Sequence, residues 1–341
     1  MVASAEAKFL SGQKKVDVRR RRNLLQHKRI LTRAVAKSSH NKHEIKIPHE
    51  RKLNMLTFSE IIKLDFSKVD APDMGHETTF TLYVPNDEER VSIYTPNRPT
   101  VIVLPGGGYF DTSDIEADPI ALKYLARGFN VGILRYSCMP SVYPVAMLEA
   151  LSAIKYVREK ASEIFADPDK IYVCGFSAGG HLAASCGTLW HRKESEKYFG
   201  DTEKVKPNGL ILCYPVITSG QYANVGSFRN LLGDKYPDEQ WLEYLSLEKQ
   251  VDEKTPTTFL WHTFFDDGVP VENSLLFASA LRSANVPFEM HIFEDGPHGI
   301  STADNITTPM MYPQRTRSWL DMSCDWIYEN ANKPEYEIYV K

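Results

Sequence analysis

The sequence predicts an α/β protein in which a mostly parallel, eight-stranded sheet is flanked by helices. From about residue 78 onward, short apolar and β-branched runs alternate with amphipathic stretches, which is typical of strands that alternate with helices. The chain has 341 residues, of which 43% are hydrophobic and 25% are charged, so it can bury a sizeable core. Glycine, serine and acidic residues follow several predicted strands, where open α/β sheets place their functional sites.

Eight strands and five helices are predicted along this part of the chain. The strands are expected at residues 79–84, 91–94, 100–104, 130–136, 170–174, 209–214, 257–263 and 287–293, and the helices at 118–127, 143–161, 178–190, 271–284 and 314–330. Apolar residues recur about every three positions in the second helix and predict one buried face: Val145, Leu148, Leu151, Ile154 and Val157. The long connection at 216–254, rich in aromatic and charged residues, predicts a small cap-like insertion.

The first 54 residues differ from the rest of the chain in charge. Residues 1–53 contain 15 lysines and arginines against 4 acidic residues, although the net charge of the whole chain is −4. Such a segment is typical of a nucleic-acid-binding or targeting arm, or of a solvated extension. We expect a solvated, flexible extension over residues 1–54 and an α/β domain over residues 55–341. Met55 is a second possible start of the protein. We do not expect nucleic acid as a partner.

The five cysteines are expected to be buried, reduced thiols. Their number is odd and no Cys-x-x-Cys pair occurs, which argues against a disulfide framework or a zinc site. No run approaches the roughly 18 apolar residues of a membrane span, and the N-terminus lacks the apolar core of a secretory signal. We therefore expect a cytoplasmic protein with no membrane partner.

The motif Gly175-Phe176-Ser177-Ala178-Gly179 predicts a candidate nucleophile. It matches G-x-S-x-G, follows an apolar strand and opens a helix of small residues. A sharp strand-to-helix turn strains its central residue, so the positions two before and two after must be small. The turn lifts the Ser177 hydroxyl above the sheet, at the positive end of the helix. The alternative is a tight turn without a chemical role.

A serine hydroxyl becomes an effective nucleophile only when a base removes its proton, and a carboxylate must orient that base. In nucleophile-elbow proteins the acid and then the histidine follow the serine along the chain. Asp266 follows one apolar strand, and His298 follows the last one. Asp266 is preferred to its neighbour Asp267 because the Asp-x-x-Val-Pro spacing leads into the next helix.

Other titratable residues compete for these two roles. Glu294 and Asp295 lie close to His298 in the sequence. Three further histidines lie inside predicted helices or strands and are interpreted as hydrogen-bonded structural residues: His181, His262 and His291. His298 lies in a Gly-Pro-His-Gly loop and is free to reach the serine.

Three consecutive glycines, Gly106 to Gly108, follow the third predicted strand. A Walker loop needs a lysine after its glycines, which is absent, and a dinucleotide fingerprint needs a small residue where Asp111 stands. An oxyanion hole fits instead, because it combines an N–H of such a loop with the N–H of Ala178, the residue after the nucleophile. We also expect Tyr109, at the end of the glycines, to contact the substrate.

Several segments carry a resemblance to a known family. In chain order they are PGGGY, ILRYS, GFSAGGHLAAS, YPVITSG, FLWHT, DDGVPVENSLLFASAL and GPHG. They resemble the α/β-hydrolase esterases related to bacterial acetyl xylan esterases and to hormone-sensitive-lipase-like carboxylesterases, from about residue 79 to the C-terminus. The lipase-like relatives have His-Gly-Gly-Gly, where Pro105 here replaces the histidine and favours the acetyl-esterase branch. The resemblance implies an α/β-hydrolase fold and roles for these residues: Ser177 as nucleophile, Asp266 as acid, His298 as base, and Gly107, Gly108 and Ala178 near the oxyanion.

The expected function is that of a serine carboxylesterase acting on short-chain acyl esters, including acetyl esters of sugars or xylo-oligosaccharides. The expected partner is a small-molecule ester, and no metal or organic cofactor is expected. An arylformamidase or a peptidase-like amide hydrolase is an alternative, because a fold does not fix the bond that is cleaved. A non-catalytic binding protein is a further alternative, although such a protein usually lacks a member of the triad.

Overall fold

In the part of the chain that the structure describes, one sheet of eight strands forms the centre of the fold. The computed structural model describes residues 55–85, 97–307 and 315–332. The strands are β1 (Leu56–Ile62), β2 (Thr78–Val84), β3 (Arg98–Leu104), β4 (Asn130–Arg135), β5 (Ala166–Phe176), β6 (Gly209–Cys213), β7 (Thr258–Thr263) and β8 (Phe288–Phe293). Their order across the sheet is β1-β2-β4-β3-β5-β6-β7-β8. β3 to β8 are parallel, whereas β2 is antiparallel to both β1 and β4. The mostly parallel, eight-stranded sheet is therefore confirmed.

The membership of the sheet differs from the prediction at one strand. Seven strands, β2 to β8, lie where the sequence predicts strands, and the strand predicted at 91–94 lies outside the described residues. β1 is not predicted. It forms an edge of the sheet and pairs with β2 from Leu56↔Val84 to Ile62↔Thr78. All of its residues are exposed or half-buried, so its apolar pattern is too weak to predict a strand.

The helices lie on both faces of the sheet. They are α1 (Asp118–Ala126), α2 (Val145–Glu159), α3 (Ser177–Thr188), α4 (Lys193–Phe199), α5 (Val225–Leu232), α6 (Glu239–Tyr244), α7 (Glu272–Ser283) and α8 (Trp319–Asn332). Five match the predicted helices: α1, α2, α3, α7 and α8. The sequence does not predict α4, α5 and α6, because six to eight residues are too few to show helical periodicity.

Two apolar cores cover the two faces of the sheet. β3 is buried along its whole length, and its side chains alternate between the cores. Ile102 and Leu104 contact one core, whereas Val101 and Val103 contact the other. The predicted apolar face of α2 is buried in the first core, which confirms the helical periodicity.

The parallel strands bring distant parts of the sequence to one edge of the sheet. Because β3, β5, β7 and β8 run in the same direction, the loops at their carboxyl ends lie at the same edge. These loops carry the glycines, Ser177, Asp266 and His298. Residues 216–254, which contain α5 and α6, follow β6 at this edge.

The cysteines are free and buried, as predicted: Cys138, Cys174, Cys186, Cys213 and Cys324. In the described ranges no helix combines the length and the apolar character needed to cross a membrane.

Candidate active site

The turn between β5 and α3 holds Ser177 in a strained conformation. The φ of Ser177 is 51°, in the left-handed region that residues with a Cβ seldom adopt. The two glycines of the motif permit this turn. A Cβ on Gly175 would overlap the carbonyl oxygen of Gly179, and a Cβ on Gly179 would overlap that of Leu104. Ser177 therefore begins α3, at the positive end of that helix.

His298 lies between Ser177 and a buried carboxylate. Its Nε2 is 2.7 Å from Ser177 Oγ, and its Nδ1 is 2.9 Å from Asp266 Oδ2. The side chain of Asp266 is 0% exposed, whereas that of His298 is 23% exposed. An ionised carboxylate only accepts hydrogen bonds, so Nδ1 carries the proton and Nε2 can accept the hydrogen of the serine hydroxyl. This arrangement can deprotonate the serine.

Three hydrogen bonds and a longer contact with the His262 ring fix the Asp266 carboxylate. Oδ1 accepts the N–H of Gly268 at 2.9 Å and that of Val269 at 2.8 Å. Oδ2 is bound by His298 and lies 3.3 Å from Nε2 of His262. Burial alone would raise the pKa of Asp266, but the hydrogen bonds from His262 and His298 outweigh it and hold the pKa well below its usual range. The carboxylate therefore stays ionised next to the imidazole.

The rival carboxylates occupy other positions. Asp267 Oδ1 accepts the main-chain N–H of His298 at 3.1 Å, so it holds the backbone of that histidine and not its ring. In the described part of the chain, neither Glu294 nor Asp295 is a hydrogen-bond partner of the His298 ring. The structure therefore brings Ser177, His298 and Asp266 together.

His262 contacts the site from inside β7. It is fully buried, and its Nε2 lies 2.9 Å from the carbonyl oxygen of Val269. That nitrogen therefore carries the proton, while Nδ1 accepts the hydroxyl of Ser274 at 2.8 Å. The sequence predicts a structural, hydrogen-bonded histidine here but does not predict its contact with Asp266. His262 lies in β7 and Asp266 in the loop after it, and a spacing of four residues predicts a contact only within a helix.

The glycine loop presents free N–H groups beside Ser177. Gly107 has a φ of 131°, and a Cβ there would overlap the carbonyl oxygen of Asp111. Among the described residues, no group accepts the N–H of Gly107 or of Gly108. Ala178 is the second residue of α3, and the first N–H groups of a helix have no partner inside it. These are the three residues that the sequence predicts to lie near an oxyanion.

Tyr109 points into the core. Its hydroxyl lies 2.9 Å from Nδ1 of His181, whose Nε2 lies 2.9 Å from the carbonyl oxygen of Leu245. Both rings are buried, and burial lowers the pKa of His181 to about 4. His181 is thus a structural histidine, as predicted. The hydroxyl of Tyr109 is engaged by His181, so a contact between Tyr109 and a substrate, which stays a prediction, would use its ring edge or main chain.

The segment 216–254 packs against the loops of the site. The N–H of Val216 bonds to the carbonyl oxygen of Ser177 at 3.0 Å. In α5, the Asn230 side chain donates to the Gly108 carbonyl oxygen at 2.9 Å, and just before α5 the Asn224 side chain donates to that of Gly268 at 3.0 Å. This segment therefore links the glycine loop to the loop of the acid.

Comparison with known families identifies the chain. The BD-FAE family model matches residues 82–281, which is more than half of the sequence. The chain belongs to the BD-FAE family. Its solved structural neighbours are α/β hydrolases, which confirms the predicted fold class. The resemblance that the sequence motifs indicate is also confirmed.

Three relatives of this BD-FAE chain are informative. Endo-1,4-beta-xylanase B of Butyrivibrio fibrisolvens is 38% identical over 228 residues, which are 65% of this chain and 34% of that protein. Acetylxylan esterase of Xylanibacter ruminicola is 27% identical over 229 residues, 64% of this chain and 45% of that protein. The crystal structure of an acetyl ester-xyloside bifunctional hydrolase from Caldicellulosiruptor lactoaceticus is 34% identical with a TM-score of 0.69, and the match covers 82% of this chain and 97% of that one. The chain thus spans between a third and a half of these two curated relatives.

Proposed function

We propose that this chain is a serine carboxylesterase that hydrolyses short-chain acyl esters, with acetyl esters of sugars or xylo-oligosaccharides as its substrates. The observation that carries the proposal is the contact of His298 with Ser177 Oγ on one side and with the ionised, buried Asp266 on the other. The names of the acetylxylan esterase and of the acetyl ester-xyloside hydrolase support this choice of substrate.

The proposed reaction begins at Ser177. Nε2 of His298 takes the hydroxyl proton while Oγ attacks the ester carbonyl carbon, and Asp266 holds the imidazole in the required tautomer. The resulting imidazolium then gives its proton to the leaving alcohol, and an acyl group remains on Oγ. Water that is deprotonated by His298 attacks this acyl-enzyme and releases the carboxylic acid.

The oxyanion of the tetrahedral intermediate would be bound by main-chain N–H groups. The candidates are those of Gly107, Gly108 and Ala178, for which the described residues offer no acceptor. Donors of this kind need no reorganisation during the reaction, and removal of one typically lowers kcat by about a hundred- to a thousandfold.

Hydrolysis of p-nitrophenyl acetate, butyrate and octanoate, and of acetylated xylo-oligosaccharides, is the test of this function. We expect acetate to be hydrolysed fastest, and Ser177→Ala to lower kcat/KM at least about a thousandfold. Ser185→Ala is a matched control, because Ser185 is buried in the same helix but its hydroxyl donates to the carbonyl oxygen of His181. Retention of the rate by Ser177→Ala, or cleavage of formamides or peptides but not of esters, would contradict the proposal.

We also propose a cytoplasmic location. The support is the state of the five cysteines, which are all free and buried. Reduced thiols of this kind are usual in reducing compartments.

A further inference from the structure

A buried carboxylate behind the glycine loop has no part in the proposed triad. Glu116 lies in a short helical turn ten residues after Gly106 and is 3% exposed. Its Oε2 accepts the N–H of Gly106 at 2.8 Å, and its Oε1 accepts the hydroxyl hydrogen of Tyr214 at 2.6 Å. Burial raises the pKa of Glu116, and these two hydrogen bonds oppose the rise only in part.

Glu116 is in contact with the loop that faces the nucleophile. A Cβ built on Gly106 would lie 2.7 Å from Oε2 of Glu116 and 2.9 Å from Cβ of Ser177. Gly106 is therefore packed between the carboxylate and the serine. Glu116 accepts the N–H of Gly106 and so fixes the orientation of that peptide group. The next two peptide groups carry the N–H groups of Gly107 and Gly108, which none of the described residues accepts.

Tyr214 extends the contact to the loop of the base. Its hydroxyl oxygen accepts the N–H of Ser301 at 2.9 Å, and its ring centroid lies 5.2 Å from that of His298. The hydroxyl of Ser301 in turn donates to the carbonyl oxygen of Ile115, next to Glu116. One carboxylate thus links the glycine loop to the loop that carries His298.

We propose that Glu116 is a positioning residue for ester hydrolysis, which holds the oxyanion loop through Gly106 and holds the base loop through Tyr214. The inference rests on the proposed function.

Glu116→Gln keeps the size of the side chain but leaves one acceptor oxygen where the carboxyl group has two. The variant can therefore no longer accept from both Gly106 and Tyr214. We expect kcat to fall about ten- to hundredfold with little change in KM, because the loop is displaced while the substrate pocket is retained. The measurement is kcat and KM for p-nitrophenyl acetate, with the melting temperature as a measure of stability.

Two further variants separate positioning from mere stability. Glu149→Gln is the matched control, because Glu149 is an equally buried carboxylate that bonds to Thr78 and Ser137, away from the site. It should lower stability and leave kcat and KM near the wild-type values. Tyr214→Phe leaves the bond between Glu116 and Gly106 in place but removes the hydroxyl that joins Glu116 to Ser301, so kcat should fall with little change in KM.

The outcomes distinguish this inference from the proposed function. A lower kcat with an unchanged KM in both Glu116→Gln and Tyr214→Phe, with wild-type values in Glu149→Gln, supports the positioning role. A wild-type kcat in Glu116→Gln, or an equal loss of kcat in Glu149→Gln, overturns it. If Glu116→Gln does not fold, the kcat of Tyr214→Phe decides. Ser177→Ala is measured alongside: if it remains active, the proposed function fails, whereas an inactive Ser177→Ala with a wild-type kcat in Glu116→Gln and Tyr214→Phe overturns this inference alone.

Discussion

Asp266 and Asp267 are adjacent and chemically identical, but they hold different parts of the same histidine. Asp266 Oδ2 lies 2.9 Å from Nδ1 of the His298 ring, whereas Asp267 Oδ1 accepts the main-chain N–H of that residue at 3.1 Å. Only a partner of the ring can decide which nitrogen carries the proton. A variant of Asp266 therefore tests the contact with the ring, and the same variant of Asp267 is its control.

We expect Asp266→Asn to lower kcat about ten thousandfold. A neutral amide can donate to Nδ1, which moves the imidazole proton to Nε2 and leaves the Ser177 hydroxyl without an acceptor. Asp267→Asn should cost less than about tenfold, since the ring keeps its carboxylate. Steady-state kinetics of both variants on p-nitrophenyl acetate would measure the difference. Equal losses, or a larger loss for Asp267→Asn, would mean that the acid is assigned wrongly.

Single residues were predictable where the signal is local. Ser177 is marked by a motif at a strand-to-helix turn, and His298 by its glycine-rich loop, and both lie where the sequence predicts them. Glu116 has no such signal. Its partner Tyr214 is 98 positions away, and a lone carboxylate in a loop is most often solvated. Contacts of this length arise from the fold and not from a sequence pattern.

At the scale of elements, the conformation of the glycine loop controls the site. We expect Gly107→Ala to lower kcat at least about a hundredfold, because a Cβ there would overlap the carbonyl oxygen of Asp111 and would displace the free N–H groups. The φ of 131° would add strain. The rate of p-nitrophenyl acetate hydrolysis, together with the melting temperature, would report the two effects.

Gly200→Ala is the matched control for backbone strain. Gly200 follows α4 with a φ of 73°, but apart from its neighbours along the chain no described residue lies within 4 Å of the Cβ that a side chain would add. Its replacement should cost about 1 kcal/mol of stability and leave the activity intact. If both glycine variants lost the same activity, the geometry of the glycine loop would not be the cause.

Elements with a strong periodic pattern were predictable, and short or half-exposed ones were not. β3 is apolar throughout and α2 has a continuous apolar face, so both match their predictions closely. β1 lies at the sheet edge with few buried side chains, and α5 spans only eight residues. Their formation depends on packing against neighbours that are far away in the sequence.

At the scale of the whole molecule, the site depends on strand direction. Its residues come from loops separated by nearly two hundred positions, and they meet because the strands before them are parallel neighbours within one sheet. The alternation of strands and helices predicts this edge as the site. The alternation does not predict the order β1-β2-β4-β3. A hydrophobic pattern shows which residues of a strand are buried, but it does not show which strands are neighbours in the sheet.

The stability of the whole molecule should depend on His181. Its pKa of about 4 in the folded chain lies below the value of about 6.5 of an exposed histidine, because burial disfavours the charged ring. Between these values the unfolded chain binds a proton that the folded chain does not. The contribution of His181 to the free energy of unfolding is therefore greatest above pH 6.5 and falls as the pH is lowered toward 4. We expect this residue to make the free energy of unfolding about 2 kcal/mol smaller at pH 5 than at pH 7.

Urea denaturation at the two pH values would measure this effect in the wild type, in His181→Gln and in Tyr109→Phe. The glutamine variant cannot be protonated, so its loss of stability between pH 7 and pH 5 should be smaller by about 2 kcal/mol. Tyr109→Phe removes the hydroxyl that bonds to Nδ1 but keeps the ring of His181 buried. It should be less stable at both pH values and keep the wild-type pH dependence. If His181→Gln also kept the wild-type pH dependence, the acid sensitivity of the fold would have to originate at other buried groups.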